Sequence, residues 1–202
     1  MNIFLSIFIF SLVLFLYLHI QYQVKMSNDL EVYTIERPTK DKLEEVCDLR
    51  QPVIFDYDNQ EIVEKCNLSN LEEQYGAFDI KLRNISEDDD DSKQMYLPFL
   101  FKEAVELFQN GKNKCYITEK NKDFLKETGT VKTFKYNDAF LRPYFVSNCN
   151  YDVCSGSIGC KTPLRYNLNY RNYFYLTSGS INLKLIPPSG SKYLNTIKDY
   201  EN

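Results

Sequence analysis

The stretch SIGCKTPLRYNLNYRNYFYLTSGSINLKLIPPS, residues 157–189, carries the strongest fold signal in the chain. Apolar side chains at Ile181, Leu183 and Leu185 alternate with polar ones, which is typical of a strand with one buried face. The stretch predicts strands at Thr162–Leu164, Asn172–Thr177 and Ile181–Ile186, with a turn at Ser178 and Gly179. We therefore expect a largely β carboxyl-terminal third.

This stretch resembles the cupin-like branch of the JmjC and asparaginyl-hydroxylase proteins, including cupin-like proteins encoded by large DNA viruses. That family carries T-P-L/A-H-x-D, then an Asn, a G-x-K turn and a strand that ends in Pro-Pro. The earlier segment RQPVIF, Arg50–Phe55, is similar to an early strand of the family with the pattern R-x-P-x-x-F/I. The matching positions are Thr162, Pro163, Leu164, Asn172, Gly179, Pro187 and Pro188. The resemblance implies a double-stranded β-helix.

The iron ligands of that family are replaced in this sequence. In the family, a His, an Asp two residues later and a distant second His hold Fe(II), and a Lys after the glycine turn binds 2-oxoglutarate. Here the first two positions are Arg165 and Asn167, the Lys position is Ile181, and His19 is the sole histidine. A guanidinium repels a divalent cation and an amide replaces the carboxylate. We therefore expect no metal, no cofactor and no catalytic residues.

Four further residues are candidates for the walls of the former pocket. Thr162 and Asn172 help to hold the cosubstrate in the family, and Tyr166 and Lys184 lie close to the motif in the sequence. Arg165 binds an anion there or pairs with an internal carboxylate. The cost of a buried, unpaired charge favours the internal pair.

The chain ends at Asn202, soon after the Pro-Pro, where a complete double-stranded β-helix still needs several strands. We therefore predict an incomplete barrel whose open edge pairs with a protein partner. The same early end also fits a split or truncated gene, or a degenerate fold with a different cover.

The amino terminus carries a long apolar segment. Residues Ile3–Ile20 contain no charge and are long enough to cross a hydrocarbon core. No basic residue precedes them and no pair of small residues marks a cleavage site, which favours an uncleaved anchor over a signal peptide. Lys25 favours a cytosolic soluble domain. We predict a transmembrane anchor over residues 1–24, a tether over 25–38 and one cupin-like domain over 39–202.

Helices and strands are mixed between the tether and the carboxyl-terminal third. Thr39 is predicted to cap a helix that carries Leu43 and Val46, and Ser69 with Glu72 is predicted to form the capping box of a brief helix that ends at Gly76. Pro98 is predicted to open an amphipathic helix with Phe101, Ala104, Val105 and Phe108. Further predicted elements are strands at Pro52–Phe55, Phe78–Arg83 and Cys115–Thr118, a helix near Glu61–Lys65 and a helical turn at Asp138–Leu141. The fold class is α+β.

Other features carry weaker signals. The acidic run Glu87–Asp91 lacks the spacing of a calcium loop and predicts a solvated loop. The six cysteines lack the two-residue spacing of zinc or redox motifs and are expected to be buried or surface thiols. In an extracellular domain, the group Cys149, Cys154 and Cys160 is predicted to form a disulfide, and Asn67 and Asn84 are glycosylation sequons.

The composition excludes some function classes. The net charge of -4 gives no broad cationic field, so nucleic-acid binding is not expected. Without a histidine in the soluble part, a serine or cysteine nucleophile lacks its usual base.

The sequence thus predicts a membrane-anchored, non-catalytic cupin-like scaffold or binding module. Two alternatives remain: an Fe(II)/2-oxoglutarate oxygenase with atypical ligands, and a signal-cleaved secreted module with disulfides near Cys149–Cys160.

Overall fold

A computed structural model describes residues 3–24, 26–85, 95–110, 114–146, 148–167 and 169–195. The acidic run Glu87–Asp91 and Lys25 lie outside the described residues. The helices are α1 (Ile3–Val24), α2 (Lys40–Cys47), α3 (Gln60–Cys66), α4 (Leu68–Tyr75), α5 (Phe101–Asn110), α6 (Lys122–Glu127), α7 (Val131–Asn137) and a 3-10 helix (Pro188–Tyr193). The strands are β1 (Tyr33–Ile35), β2 (Val53–Phe55), β3 (Asp79–Asn84), β4 (Leu97–Leu100), β5 (Tyr116–Thr118) and β6 (Ser155–Gly156).

Helix α1 is apolar around its whole circumference. Its span Ile3–Tyr22 is long and apolar enough to cross a membrane, and its side chains are exposed. A helix that is hydrophobic on every side requires an apolar environment around it. The sequence and the structure therefore agree on one amino-terminal helix of membrane-spanning length.

The chain divides into two compact units, where the sequence predicted one domain after the tether. The first, here called the amino-terminal unit, comprises Met1–Tyr57, Leu168–Tyr173 and Leu183–Asn195. In it β1 pairs in parallel with β2, Tyr33 opposite Val53, and α2 connects the two strands. The predicted tether thus contains a strand, because Tyr-Thr-Ile favours β structure once a partner strand is near.

The second unit, here called the sheet unit, comprises Asp58–Asn167, Phe174–Asn182 and Thr196–Asn202. Its antiparallel sheet has the strand order β4-β3-β5-β6. One face of the sheet carries Ile80 and Leu82, which join a buried apolar cluster with side chains of α4, α5 and α6. The other members of that cluster are Leu71, Phe101, Ala104, Val105, Phe108, Phe124 and Leu125.

Several local predictions are confirmed. The Thr39 side chain accepts a hydrogen bond from the Lys42 backbone N–H at 3.3 Å and caps α2, in which Leu43 and Val46 are buried. The predicted strands near Pro52–Phe55, Phe78–Arg83 and Cys115–Thr118 correspond to β2, β3 and β5 within one or two residues. The helix near Glu61–Lys65 is α3. These features depend on caps and periodicities that lie within one short segment.

Two predicted helix starts are wrong. Pro98 lies in β4 opposite Lys81, and α5 begins at Phe101. Strand β4 is at the edge of the sheet, where a missing backbone donor costs no ladder bond. Helix α4 is capped by Asn67, whose side chain accepts from the Asn70 N–H at 2.8 Å, rather than by Ser69.

The three strands predicted after residue 160 are also wrong, because Thr162–Leu164, Asn172–Thr177 and Ile181–Ile186 carry no strand or helix. Side chains hold part of this segment instead of a backbone ladder. Within the sheet unit, the Thr177 hydroxyl donates to the Cys66 carbonyl at 3.0 Å and the Tyr175 hydroxyl to the Asn59 carbonyl at 3.4 Å. The fold observed is a mixed α and β structure with a small antiparallel sheet.

Candidate functional site

The six predicted pocket positions are divided between the two units. Thr162, Arg165, Tyr166 and Asn167 belong to the sheet unit, whereas Asn172 and Lys184 belong to the amino-terminal unit. Tyr166 is 86 % exposed, and Asn167, Asn172 and Lys184 are exposed as well, as is Thr162. The Asn172 Oδ1 accepts a hydrogen bond from Asn169 Nδ2 at 2.9 Å. Arg165, in contrast, has a buried partner.

Arg165 forms a two-pronged ion pair with Glu119. Its Nη2 donates to Glu119 Oε1 at 2.6 Å and its Nη1 donates to Glu119 Oε2. The Glu119 side chain is 9 % exposed and that of Arg165 is 34 % exposed. Two parallel bonds between a guanidinium and a carboxylate fix orientation as well as charge. The internal pair predicted for Arg165 is therefore confirmed, with Glu119 as the carboxylate.

A second arginine lies close to this ion pair. Arg83 follows Leu82 in β3, so its side chain points away from the apolar cluster, and it is 2 % exposed opposite Ile117 of β5. Its Nε and Nη1 atoms have no hydrogen-bond partner within the described ranges. Its guanidinium carbon lies 5.9 Å from the centre of the Tyr96 ring. Arg83, Tyr96, Glu119 and Arg165 are called the Glu119 cluster below.

The charges of the Glu119 cluster stabilise one another. Burial by itself raises the pKa of Glu119, but hydrogen bonds from Arg165 and Tyr96 outweigh it and hold that pKa below its usual value. Burial and the hydrogen bond to Glu119 raise the pKa of Tyr96 to about 12. At neutral pH the cluster thus contains two cations, one carboxylate and a neutral phenol.

A buried amide next to this cluster connects three segments of the sheet unit. Asn121 accepts from the Lys81 N–H at 2.9 Å and donates to Thr118 Oγ1 at 2.8 Å and to the Val153 carbonyl at 3.0 Å. The Asp152 carboxylate accepts from the backbone N–H groups of Lys120 and Asn121, both at 2.7 Å. Lys120 has a φ of 62°, a strained value that these bonds help to maintain.

The amino-terminal unit has its own cluster of charged and aromatic side chains. Arg171 donates to Glu44 Oε2 at 2.8 Å and to Asp48 Oδ1 at 3.1 Å, and its side chain is 10 % exposed. Arg50 donates to the Tyr22 carbonyl at 3.1 Å, and its guanidinium lies 4.4 Å from the centre of the Tyr170 ring. Tyr22 also donates to Asp48. These contacts tie the carboxyl-terminal end of α1 to α2.

The charged groups of the Glu119 cluster are held in fixed protonation states. General acid or base catalysis requires a group whose pKa lies near the working pH. In the Glu119 cluster, Glu119 is held ionised, Tyr96 titrates far above neutrality and an arginine does not release its proton. Among the described residues, no three His, Cys, Asp or Glu side chains converge as a metal site does. Two shallow surface grooves, on α4 and α5, contain none of the six predicted positions.

Sequence reasoning missed Glu119, Arg83 and Asn121. Glu119 stands in the polar run EKNKD, 119–123, which is typical of a solvated turn. Strand alternation places the Arg83 side chain on the face opposite to that of Leu82, but only the packed structure reveals that this second face is covered. Comparison with protein-family models, with curated proteins and with solved structures finds no match to this chain.

Proposed function

We propose that this chain is a membrane-anchored, non-catalytic binding module. Helix α1 holds it in the bilayer, and the segment that follows Arg165 in the chain presents an apolar surface to a protein partner. The observation that carries the proposal is a run of exposed apolar side chains in backbone that has no strand pairing. No nucleic acid and no cofactor are part of this function.

The anchor proposal is supported by α1 and by the cluster at its carboxyl-terminal end. Tyr22, Tyr170 and Arg50 combine aromatic rings with a cation, which is the composition that membrane interfaces favour. Arg50 also donates to the Tyr22 carbonyl, one of the last acceptors of α1, which lack partners within the helix. A single pass with the soluble part in the cytosol is the orientation that we propose.

Replacing Leu12 and Leu16 of α1 with aspartate is expected to release the full-length protein from membranes washed with alkaline carbonate. A charged residue at the centre of a membrane helix costs about 2.5–3.5 kcal/mol, so two of them disfavour insertion strongly. The wild-type chain should stay in the membrane pellet, as measured by immunoblot.

The matched control replaces the same two leucines with alanine, which keeps the helix uncharged and should leave the protein in the pellet.

Mass spectrometry of the mature protein tests the signal-peptide alternative. Recovery of a chain that begins after about residue 20 would contradict the anchor.

The binding surface is proposed to be the continuous extended segment Ile181–Ile186. Ile181, Leu183 and Leu185 are each more than half exposed and alternate with Asn182 and Lys184. A segment with exposed, alternating apolar side chains and no strand partner can pair with a β-strand from another protein. Backbone hydrogen bonds then supply the affinity, and the apolar side chains become covered. The predicted open edge is thus proposed at this segment.

Photocrosslinking tests this surface. With benzoylphenylalanine placed at each position from 181 to 185 in turn, capture of a partner peptide should be strong at 181, 183 and 185 and weak at 182 and 184. The reason is that alternate side chains of a strand point to opposite faces. Mass spectrometry of the crosslinked peptide reports both sites.

Tyr136 is the control position, because it is 82 % exposed but lies in α7. Equal capture at all five positions and at Tyr136 would contradict a strand-adding partner. A crosslink between two copies of this chain would identify the partner as the protein itself.

The cupin-like relationship is proposed on the motif residues alone. The described residues of Thr162–Leu164 and Ile181–Ile186 lack the ladders of a β-helix, so a partner that pairs with them would supply the missing strands. An iron-dependent oxygenase is not favoured, because Arg165 is committed to Glu119 and Asn167 is exposed.

A further inference from the structure

We propose that Cys115 and Cys160 are a disulfide-forming pair that crosslinks the residue just before β5 to the turn after β6. The sequence suggested Cys149, Cys154 and Cys160 as the candidates, because those three are close along the chain. All six cysteines carry thiols in this structure. The pair therefore has to be recognised from where the sheet places each cysteine.

The backbone around β5 and β6 brings the two cysteines together. Tyr116 and Ser157 exchange two hydrogen bonds, because the Ser157 N–H donates to the Tyr116 carbonyl at 2.9 Å and the Tyr116 N–H donates to Ser157 Oγ at 3.2 Å. The Cys160 N–H then donates to the Ser157 carbonyl at 3.1 Å, which folds the chain back. Gly159 permits that turn with a φ of 78°. Cys160 thus returns to the residue that precedes Tyr116, which is Cys115.

The two side chains share one face of the sheet. Cys115 precedes Ile117 by two residues, and side chains two apart in a strand point to the same face. Ile117 pairs with Gly156, and a Cβ atom built on Gly156 would lie 3.8 Å from the Cys160 Cβ. A contact of that length places Cys160 over the same face of the sheet as Ile117. The Cys115 side chain lies near enough to Cys160 to raise the pKa of the Cys160 thiol, and both residues are partly exposed.

The reaction is an ordinary thiol–disulfide exchange with oxidised glutathione as the oxidant. One cysteine thiolate attacks the glutathione disulfide, forms a mixed disulfide and releases one glutathione thiolate. The second cysteine thiolate then attacks the protein sulfur of the mixed disulfide and releases the second glutathione thiolate. Two electrons pass from the protein to glutathione, and the two cysteine protons go to solvent and to the released thiolates.

Burial raises the pKa of Cys160 to about 11, and the neighbouring Cys115 acts in the same direction. Because the thiolate is the attacking species, exchange should proceed faster at pH 9 than at pH 7. This dependence sets the conditions of the experiment rather than its outcome.

The test uses the full-length protein in detergent micelles, incubated with oxidised glutathione at pH 9 and then alkylated without reduction. We expect the number of alkylated cysteines to fall from six to four and a peptide containing Cys115 to be linked to one containing Cys160 in the mass spectrum. The oxidised protein should melt about 5–15 °C above the same sample treated with dithiothreitol, because the bond closes a long loop.

Cys115→Ser and Cys160→Ser should each abolish the linked peptide and the difference in melting temperature, whereas Cys149→Ser should preserve both. The wild-type peptide map is informative even if a variant fails to fold. Alkylation of all six cysteines after oxidation, or a predominant link among Cys149, Cys154 and Cys160, would overturn the proposal.

Discussion

Replacing Glu119 with glutamine is expected to lower the free energy of unfolding of the sheet unit by about 3 kcal/mol. Removal of one partner from a fully buried ion pair costs about 3–5 kcal/mol, but the Arg165 side chain left behind is 34 % exposed and is partly solvated. The substitution removes a carboxylate that pairs with Arg165 and also attracts the almost fully buried Arg83. Glutamine keeps the shape of the side chain and one acceptor oxygen, so the lower part of that range is expected.

Hydrogen exchange of the β3 and β5 amides, measured by mass spectrometry on the protein in micelles, reports this loss directly. Glu106→Gln is the matched control, because Glu106 is exposed on α5 within the same unit. Its effect should stay within about 0.5 kcal/mol. If both variants lost a similar amount of unfolding free energy, the Arg165–Glu119 ion pair would contribute no more than an exposed carboxylate.

The pH dependence of the wild-type protein follows from the lowered pKa of Glu119. The folded carboxylate binds protons less readily than an unfolded glutamate, whose pKa is about 4.3. Its contribution to stability is therefore complete above about pH 4.3 and decreases as the pH falls further through the folded pKa. In Glu119→Gln this part of the acid loss should be absent, so its stability curve below that pH should be shallower.

Replacing Asn121 with alanine is expected to destabilise the sheet unit by about 2–4 kcal/mol, because each buried polar group left unsatisfied costs about 1–3 kcal/mol. Asn121 is 2 % exposed, and its side chain bonds the Lys81 N–H, Thr118 Oγ1 and the Val153 carbonyl. Alanine removes all three bonds and provides no replacement. The same hydrogen-exchange measurement should show the loss in β3 and at Val153 together.

Asn150→Ala is the control for this substitution, because Asn150 is exposed in the same unit. Asn121→Asp adds a second comparison. The aspartate still accepts from the Lys81 N–H but cannot donate to the Val153 carbonyl. Asn121→Asp should therefore lose less stability than Asn121→Ala only if the bond accepted from Lys81 contributes more than the bond donated to Val153. Full stability of Asn121→Ala would contradict the role of the amide as a link between segments.

Much of the local structure is predictable because its cause lies within a few neighbouring residues. Thr39 caps α2 through a bond that spans three residues, and the apolar positions of α5 repeat at helical spacing. Pro98 shows where this reasoning fails, because a proline that suits a first helical turn also suits an edge strand. The choice between them depended on β3, which lies outside the segment.

The candidate site was predictable only in part. The resemblance drew attention to Arg165, and the cost of a buried charge indicated an internal carboxylate, but no pattern identified Glu119 as that carboxylate. The two residues are 46 positions apart. Similarly, the alternation in Ile181–Ile186 predicted a strand. Alternation shows only which side chains are apolar, whereas a strand also needs a neighbouring strand to pair with.

Neighbouring residues were sufficient to specify the elements whose stability is local: the apolar helix α1, the capped helix α2 and the alternating strand β3. Only the packing of distant segments established that Arg83 is buried, that Arg165 meets Glu119 and that Cys115 meets Cys160. The physical reason is that hydrophobic periodicity and capping act within one turn or strand, whereas burial and charge pairing depend on which segments the sheet brings together.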